Sequence, residues 1–200
     1  MKPSKIDFLT AILLFVAATL FLLRLAYLPI YTSTAIVVVI LGVASFWLKR
    51  RLGITVPLSV MFLLVCGVLV DGIGNDGVLG LYGQQFRYIQ FDEYAHCLIS
   101  AMLMPSAIWL MQTILNRPPG IRMPFYLICL FSFALVFLLA GFYEVIELWD
   151  DKYMHPAPGM RIHGAYDTAN DLQWDLLGMG LGTLVGYFLL RERRSTEFKL

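Results

Sequence analysis

Long apolar segments constrain the fold of this chain more than any other feature of its sequence. Hydrophobic residues make up 59% of the 200 residues and charged residues 14%, whereas soluble domains average about 45–50% and about 25%. An α-helix of about 20 apolar residues crosses the roughly 30 Å hydrocarbon layer of a membrane. About six segments approach that length, at residues 8–30, 33–48, 54–71, 93–115, 124–149 and 168–190. The sequence therefore predicts an all-α, polytopic membrane helical bundle of about six transmembrane helices, forming a single integral membrane domain over residues 1–200.

The basic residues predict the orientation of these helices. If the N-terminus is inside, eleven Lys and Arg residues lie in cytoplasmic segments, whereas the opposite side holds Arg87, Lys152 and Arg161. Membrane proteins carry their excess of basic residues on the cytoplasmic side, so we expect both termini in the cytoplasm. The apolar run after Met1–Asp7 is longer than the core of a signal peptide and lacks a clear cleavage site. We interpret it as an uncleaved first span.

Charge and cysteine usage exclude several classes of partner and site. The net charge is +1 and the sequence contains no basic stripe, so no nucleic-acid partner is expected. Cys66, Cys97 and Cys129 all lie within apolar stretches and form no CxxC pair, and we interpret them as buried free thiols.

Acidic residues concentrate at the predicted outer ends of the spans. Eleven of the fourteen Asp and Glu residues, together with all three His residues, lie in or beside two gaps between apolar segments, residues 72–92 and 150–167. In the predicted orientation these gaps share the side opposite the cytoplasm. Ionisable groups at membrane depth are costly and usually mark a functional site, so the function is expected there.

The last apolar segment opens with three aspartates at a spacing of four residues. A helix stacks Asp167, Asp171 and Asp175 on one face over about 12 Å. Like charges at this spacing repel one another, so a bound cation, protons or basic partners must offset the repulsion. Asp92 and Asp167 also have a simpler interpretation as N-caps of their helices.

Other helices are expected to bring carboxylates and an imidazole to the same depth. Oxygen-rich sites with one His suit Mg²⁺, Mn²⁺, Ca²⁺ or Zn²⁺, which predicts a divalent metal ion as cofactor. The predicted metal ligands are Asp92, His96, Glu144, Asp167, Asp171 and Asp175. The predicted acid–base residues are His96 and Glu147, and the predicted substrate-binding residues are Arg24, Asp71 and Arg161. Arg24 has an equal alternative, in which its side chain reaches the outer membrane surface instead of the site.

Three short motifs in a fixed order resemble a known family. F-D-E-Y-A-H at 91–96, F-Y-E-V-I-E at 142–147 and Y-D-T-A-N-D-L-Q-W-D-L-L-G at 166–178 resemble the YjdF-like bacterial inner-membrane proteins and, more distantly, the VanZ-like family. The resemblance covers roughly residues 60–190 and implies a multi-pass protein of the bacterial inner membrane. VanZ-like proteins are tied to glycopeptide-antibiotic tolerance, which leaves the chemistry of the site open.

Glycines repeat every four residues along the last segment. Gly178, Gly182 and Gly186 lie on one helix face, and small residues at this spacing let two helix backbones approach closely. This spacing predicts packing within the chain or, alternatively, a homodimer contact.

Three functions compete for the acidic site. The first is a metal-dependent hydrolase or transferase acting on a membrane lipid, a lipid-linked substrate or another phosphate-containing substrate. The second is a proton- or cation-coupled transporter that uses the carboxylates as an ion pathway. The third is a membrane binding or tolerance factor without catalytic activity.

Overall fold

A computed structural model of the chain describes residues 32–74, 81, 85–86, 89–116, 122–154 and 166–197. The predicted first span, residues 8–30, therefore lies outside the described residues, as do Arg24 and Arg161. The chain divides into two compact units, residues 1–91 and 92–200, and each is described by itself. The single domain over residues 1–200 stays a prediction.

Two helices and a short β-ribbon make up the described part of the first unit. Helix α1 is Thr32–Leu52, and helix α2, Leu58–Gly74, packs against it. Gly53 ends α1 with a φ of +66°, a conformation that glycine adopts without the steric cost other residues bear. Its N–H donates to the Lys49 carbonyl at 3.2 Å, which satisfies one of the last-turn carbonyls.

The β-ribbon lies in the connection for which the sequence predicted turns and an interfacial piece. Strand β1, Gln85–Phe86, pairs antiparallel with strand β2, Ile89–Gln90. The ribbon leads directly into the next helix, whose first residue is Phe91.

Three long helices make up the described part of the second unit. Helix α3 is Phe91–Leu115, helix α4 is Phe125–Trp149, and helix α5 is Asp167–Glu197. A π-helical turn, Asp150–Met154, continues α4. The apolar core of this unit lies between the helices and includes Ala95, Met104, Ile108, Ile128, Val136 and Met179.

The glycines of α5 bring its backbone into contact with α3. A Cβ added at Gly178 would overlap the Cys97 carbonyl, and one at Gly182 would lie 2.5 Å from the Ala101 carbonyl oxygen. The predicted packing of these glycines within the chain is thus confirmed, and a homodimer through them stays a prediction. Both helices advance in the same direction along this contact, so the starts of α3 and α5 lie at the same end of the unit.

Two helical segments among the described residues are long and apolar enough to cross a membrane. They are Phe91–Leu115 and Phe125–Tyr153, while the shorter Leu58–Gly72 is also apolar. Helix α1 ends in three basic residues and α5 begins with an acidic stripe, which makes these two helices less apolar over their length. Large side chains on the outside of α4 are exposed, Tyr126 and Leu138 each to 68%, as expected of a surface that faces lipid.

Candidate functional site

The candidate site lies where the starts of α3 and α5 meet the last third of α4. Its five ionisable residues are all buried, with exposed fractions of 1% for Asp171, 3% for Asp175, 4% for Glu144, 8% for His96 and 9% for Asp92. Charged side chains are rarely buried to this degree unless they are paired or bind a ligand. These five residues, from three separate helices, thus lie together in one buried cluster.

His96 occupies the centre of this cluster and faces carboxylates on both sides of its ring. Its Nδ1 lies 3.0 Å from Asp175 Oδ2. Its Nε2 lies 3.7 Å from Asp92 Oδ1 and 3.7 Å from Glu144 Oε1. One ring nitrogen is thus hydrogen-bonded, while the other points toward a group of oxygens without reaching hydrogen-bond distance.

Both oxygens of Asp175 are engaged. Oδ2 accepts from His96 Nδ1, and Oδ1 accepts a short hydrogen bond of 2.5 Å from Ser100 Oγ. Ser100 is itself 2% exposed, so this hydrogen bond is shielded from water. Asp175 is therefore held by two side chains of α3, at positions one helical turn apart.

Asp171 is in the opposite situation. It is the most buried of the carboxylates, and neither of its oxygens has a hydrogen-bond partner among the described residues. Glu144 Oε1 is also buried without a hydrogen bond. A buried carboxylate without partners costs several kcal/mol in desolvation, so these oxygens require a compensating positive charge or a proton.

Three of the site residues are close enough together to hold one metal ion. Asp92, His96 and Asp171 each offer one ligand atom, and these atoms lie within 4.8 Å of one another. Two carboxylate oxygens and one imidazole nitrogen suit a borderline divalent ion such as Zn²⁺ or Mn²⁺. The donor set therefore fits the predicted cofactor class, and the orphaned oxygens of Asp171 are what such an ion would satisfy.

Polar and aromatic contacts around the cluster hold α3 and α5 together at their starts. Asn170 Nδ2 donates a hydrogen bond to Glu93 Oε1. The Tyr94 and Trp174 rings also join α3 to α5, with centroids 6.2 Å apart, whereas the Tyr143 ring, on α4, meets His96 edge-on at 6.2 Å. These contacts lie beside the buried carboxylates.

The remaining predicted site residues lie outside the cluster of five buried ionisable residues. Asp167 is half-buried at the first position of α5, one turn before Asp171, and Glu147 is half-buried one turn after Glu144. Asp71 lies in α2 of the first unit. The roles predicted for these three residues stay predictions, and Arg24 and Arg161 lie outside the described residues.

Ser100 is the site residue that sequence reasoning missed. It follows His96 by four residues, just as His96 follows Asp92, so the same helical spacing places it on the same helix face. A serine in an apolar segment carries no charge and is ordinarily satisfied by its own helix, as Ser132 is by the Ile128 carbonyl at 2.7 Å. Because such a bond within the helix is common, the sequence does not single out Ser100, and only its contact with Asp175 on α5 identifies it as a site residue.

Comparison with known proteins assigns the chain to a family of membrane proteins but gives no activity for it. No curated protein and no solved structure is significantly similar to this chain. A family described as "Predicted membrane protein (DUF2238)" matches residues 7–193, which covers the whole candidate site and both helices apolar enough to span a membrane. The chain therefore belongs to this family of membrane proteins.

Proposed function

We propose that the chain binds a divalent metal ion through Asp92, His96 and Asp171 and acts as a metal-dependent hydrolase or transferase. The substrate is a membrane lipid, a lipid-linked molecule or another phosphate-containing compound. The single observation that carries this proposal is the carboxylate of Asp171, which is 1% exposed and has no hydrogen-bond partner among the described residues. A bound cation explains why such a costly group is retained beside other acids.

The charge of the cluster supports a cation as its ligand. Four carboxylates, those of Asp92, Glu144, Asp171 and Asp175, surround the one imidazole of His96. With all four carboxylates ionised, the cluster holds an excess of negative charge even with a charged imidazole. A divalent ion offsets this excess and, because one donor is an imidazole nitrogen, Zn²⁺ and Mn²⁺ fit better than Ca²⁺ or Mg²⁺.

The residues around the proposed ligands provide acid–base groups for the reaction. A bound divalent ion polarises a phosphoryl or carbonyl oxygen and favours formation of hydroxide from water near neutral pH. Glu144 Oε1, which has no hydrogen bond within the described part of the chain, is available to accept a proton from that water. His96 serves better as a ligand than as a base, because Nδ1 is engaged with Asp175 and Nε2 faces the other ligands. Glu147, one turn from Glu144, remains a second candidate for the base.

The membrane setting of the proposal follows from the sequence. The protein is proposed to be a YjdF-like protein of the bacterial inner membrane, with six spans, cytoplasmic termini and the site on the outer side. Consecutive spans cross the membrane in opposite directions, so the starts of α3 and α5 and the end of α4 should lie on the same side, as they do around the site. An outer-leaflet site near the helix ends suits a substrate with a membrane-embedded tail and a polar group at the interface.

The metal is tested by elemental analysis of the protein purified in detergent. Wild type is expected to carry one equivalent of a divalent ion, and Asp171→Asn to lose it. Asp151→Asn, in the π-helical turn after α4, is the control for the same chemical change and should retain the ion. A wild-type protein without stoichiometric metal, after purification with added Zn²⁺ and Mn²⁺, would rule the proposal out.

The orientation is tested by labelling intact cells with a membrane-impermeant maleimide. A cysteine in place of Tyr153, which is 66% exposed, should react from outside. A cysteine in place of Arg51, exposed at the end of α1, should react only after lysis. Wild type reports the background from the native thiols. The reverse pattern would place the site on the cytoplasmic side.

Transport has less support within the second unit. Beyond the cluster, the largest fully buried side chains of this unit are mostly apolar, namely those of Met104, Ile108, Ile128, Val136 and Met179. A proton or cation pathway needs ionisable or hydrated groups across the whole membrane. Proton flux in proteoliposomes that Asp171→Asn abolishes would favour transport over the enzyme proposed here.

A further inference from the structure

Asp175 and Asp171 lie one turn apart on α5, yet they have opposite surroundings. Asp175 uses both oxygens for hydrogen bonds with α3, at 3.0 Å to His96 and 2.5 Å from Ser100. Asp171 uses neither of its oxygens in a hydrogen bond with the described residues. Asp171, whose two oxygens have no hydrogen-bond partner among those residues, lies with Asp92 and His96 in the group of possible metal ligands, whereas each oxygen of Asp175 already accepts one hydrogen bond.

The contact with Asp175 determines which nitrogen of His96 is available. An ionised carboxylate only accepts hydrogen bonds, so the nitrogen that contacts it must carry the proton. That nitrogen is Nδ1. In the neutral ring the lone pair is then on Nε2, and Nε2 is the nitrogen that points toward Asp92 and Glu144 at 3.7 Å.

Ser100 completes this arrangement from the far side of the carboxylate. Its hydroxyl donates to Asp175 Oδ1, so the carboxylate cannot rotate without losing one of its two hydrogen bonds. Ser100 and His96 share one face of α3, four residues apart, so both partners of Asp175 belong to one rigid helix. The orientation of the His96 ring is thereby tied to the backbone of α3.

We infer that Asp175 and Ser100 are positioning residues that hold the imidazole of His96 so that Nε2 faces the metal site formed with Asp92 and Asp171. This assignment replaces the metal-ligand role that the sequence predicted for Asp175, and it adds Ser100 to the site. The inference rests on the proposed function for its metal, whereas the His96–Asp175–Ser100 geometry is independent of any ligand. Partners of this kind typically change metal affinity by about 10–100-fold when removed.

Zn²⁺ titration of the detergent-purified protein tests the inference by affinity and stoichiometry. Asp175→Asn should weaken Zn²⁺ binding by about 10–100-fold but retain one equivalent at saturation. Ser100→Ala should weaken it by about fivefold, the effect of one hydrogen bond. Ser106→Ala is the matched control, because Ser106 is a buried serine of the same helix whose hydroxyl has no hydrogen-bond partner among the described residues. It should bind Zn²⁺ like wild type.

Nitrogen-15 NMR of the metal-free protein gives a second measurement, at a pH high enough for the imidazole ring to be neutral. The His96 resonances are assigned by their loss in His96→Gln. Wild type and Ser106→Ala should carry the proton on Nδ1, and both Asp175→Asn and Ser100→Ala should raise the population with the proton on Nε2. This result does not depend on the metal, so it supports or overturns the inference even if wild type binds no Zn²⁺ and the proposed function fails.

Two outcomes would overturn the inference. If Asp175→Asn abolishes Zn²⁺ binding at saturation while Asp171→Asn retains it, Asp175 is the ligand. If neither Asp175→Asn nor Ser100→Ala changes the Zn²⁺ affinity or the tautomer relative to Ser106→Ala, the hydrogen bonds have no positioning role. If Asp175→Asn does not fold, an unchanged Zn²⁺ affinity and tautomer in Ser100→Ala, relative to Ser106→Ala, overturn the inference.

Discussion

The close contact between α3 and α5 makes Gly178→Ala the most informative single substitution. A Cβ at this position would overlap the backbone carbonyl of Cys97, which is part of a helix and cannot rotate away. Gly178 follows Asp175 by three residues on the same face of α5. The added methyl group therefore pushes α5 away from α3 beside the hydrogen bonds that Asp175 makes.

The expected size of the effect comes from the neighbouring contact. At Gly182 an added Cβ lies 2.5 Å from the Ala101 carbonyl oxygen and must move by about 0.9 Å to reach ordinary contact at 3.4 Å. The overlap at Gly178 is greater. Overpacking of this kind costs about 1–3 kcal/mol. Because the overlap is large, we take the upper half of this range, about 2–3 kcal/mol. Replacing a helical glycine by alanine returns about 0.5–1 kcal/mol, so we expect a net loss of about 1–2.5 kcal/mol for Gly178→Ala.

The same displacement affects the site. A separation of about 1 Å lengthens the 3.0 Å contact between His96 Nδ1 and Asp175 Oδ2 beyond normal hydrogen-bond range. We therefore expect Gly178→Ala to weaken Zn²⁺ binding about as much as Asp175→Asn does, on the order of 10–100-fold. Loss of stability and loss of affinity should occur together.

Gly180→Ala is the matched control for this substitution. Gly180 lies two residues further along α5, and an added Cβ there meets nothing within 4 Å. The two variants thus share the chemical change and the gain in helix propensity but differ in the contact with α3. Thermal unfolding in detergent should give a melting temperature lower by roughly 2–10 °C for Gly178→Ala and one unchanged or higher for Gly180→Ala. Equal melting temperatures and equal Zn²⁺ affinities for the two variants would refute the close approach of α3 and α5.

Three further predictions concern the site itself. Removal of metal by a chelator should lower the unfolding free energy of wild type by about 2.7 kcal/mol, compared with the protein at a metal concentration of 100 times Kd. The unfolding free energy of Asp171→Asn should not change. A chelator effect of equal size in both proteins would contradict the ligand role of Asp171. Without metal, Asp171→Asn should unfold at a higher temperature than wild type, because it removes a buried charge that has no hydrogen-bond partner among the described residues; a lower temperature would indicate that the carboxylate is satisfied by other means. Asn170→Ala should lower the melting temperature slightly through loss of the hydrogen bond to Glu93 and leave the Zn²⁺ stoichiometry at one; loss of the ion would show that Asn170 belongs to the metal site.

Much of the fold class followed from local properties of the chain. The five helices α1 to α5, among the described residues, lie close to the predicted positions of the second to sixth spans. A π-helical turn continues α4, and α5 extends to Glu197. The differences are at helix ends. For example, α2 begins at Leu58, after Pro57, instead of at residue 54. Proline lacks a backbone N–H and is suited to the beginning of a helix, which explains where α2 starts.

Residue spacing alone determined which side chains share a helix face. The helical repeat places Asp92, His96 and Ser100 on one face of α3, and Asp171 and Asp175 on one face of α5. It also predicts the glycine face of α5 at which these helices meet. A buried set of acids was predictable because ionisable residues in apolar segments must face away from lipid.

Only the tertiary structure decided which atoms on those faces meet. Spacing orders side chains along one helix but specifies neither the rotation nor the axial register of the helix beside it. One turn of α5 separates Asp175, held by His96 and Ser100, from Asp171, whose oxygens are buried without hydrogen bonds in the described part of the chain. Two chemically identical side chains thus receive opposite environments, because the contact between α3 and α5 sets their depth relative to His96.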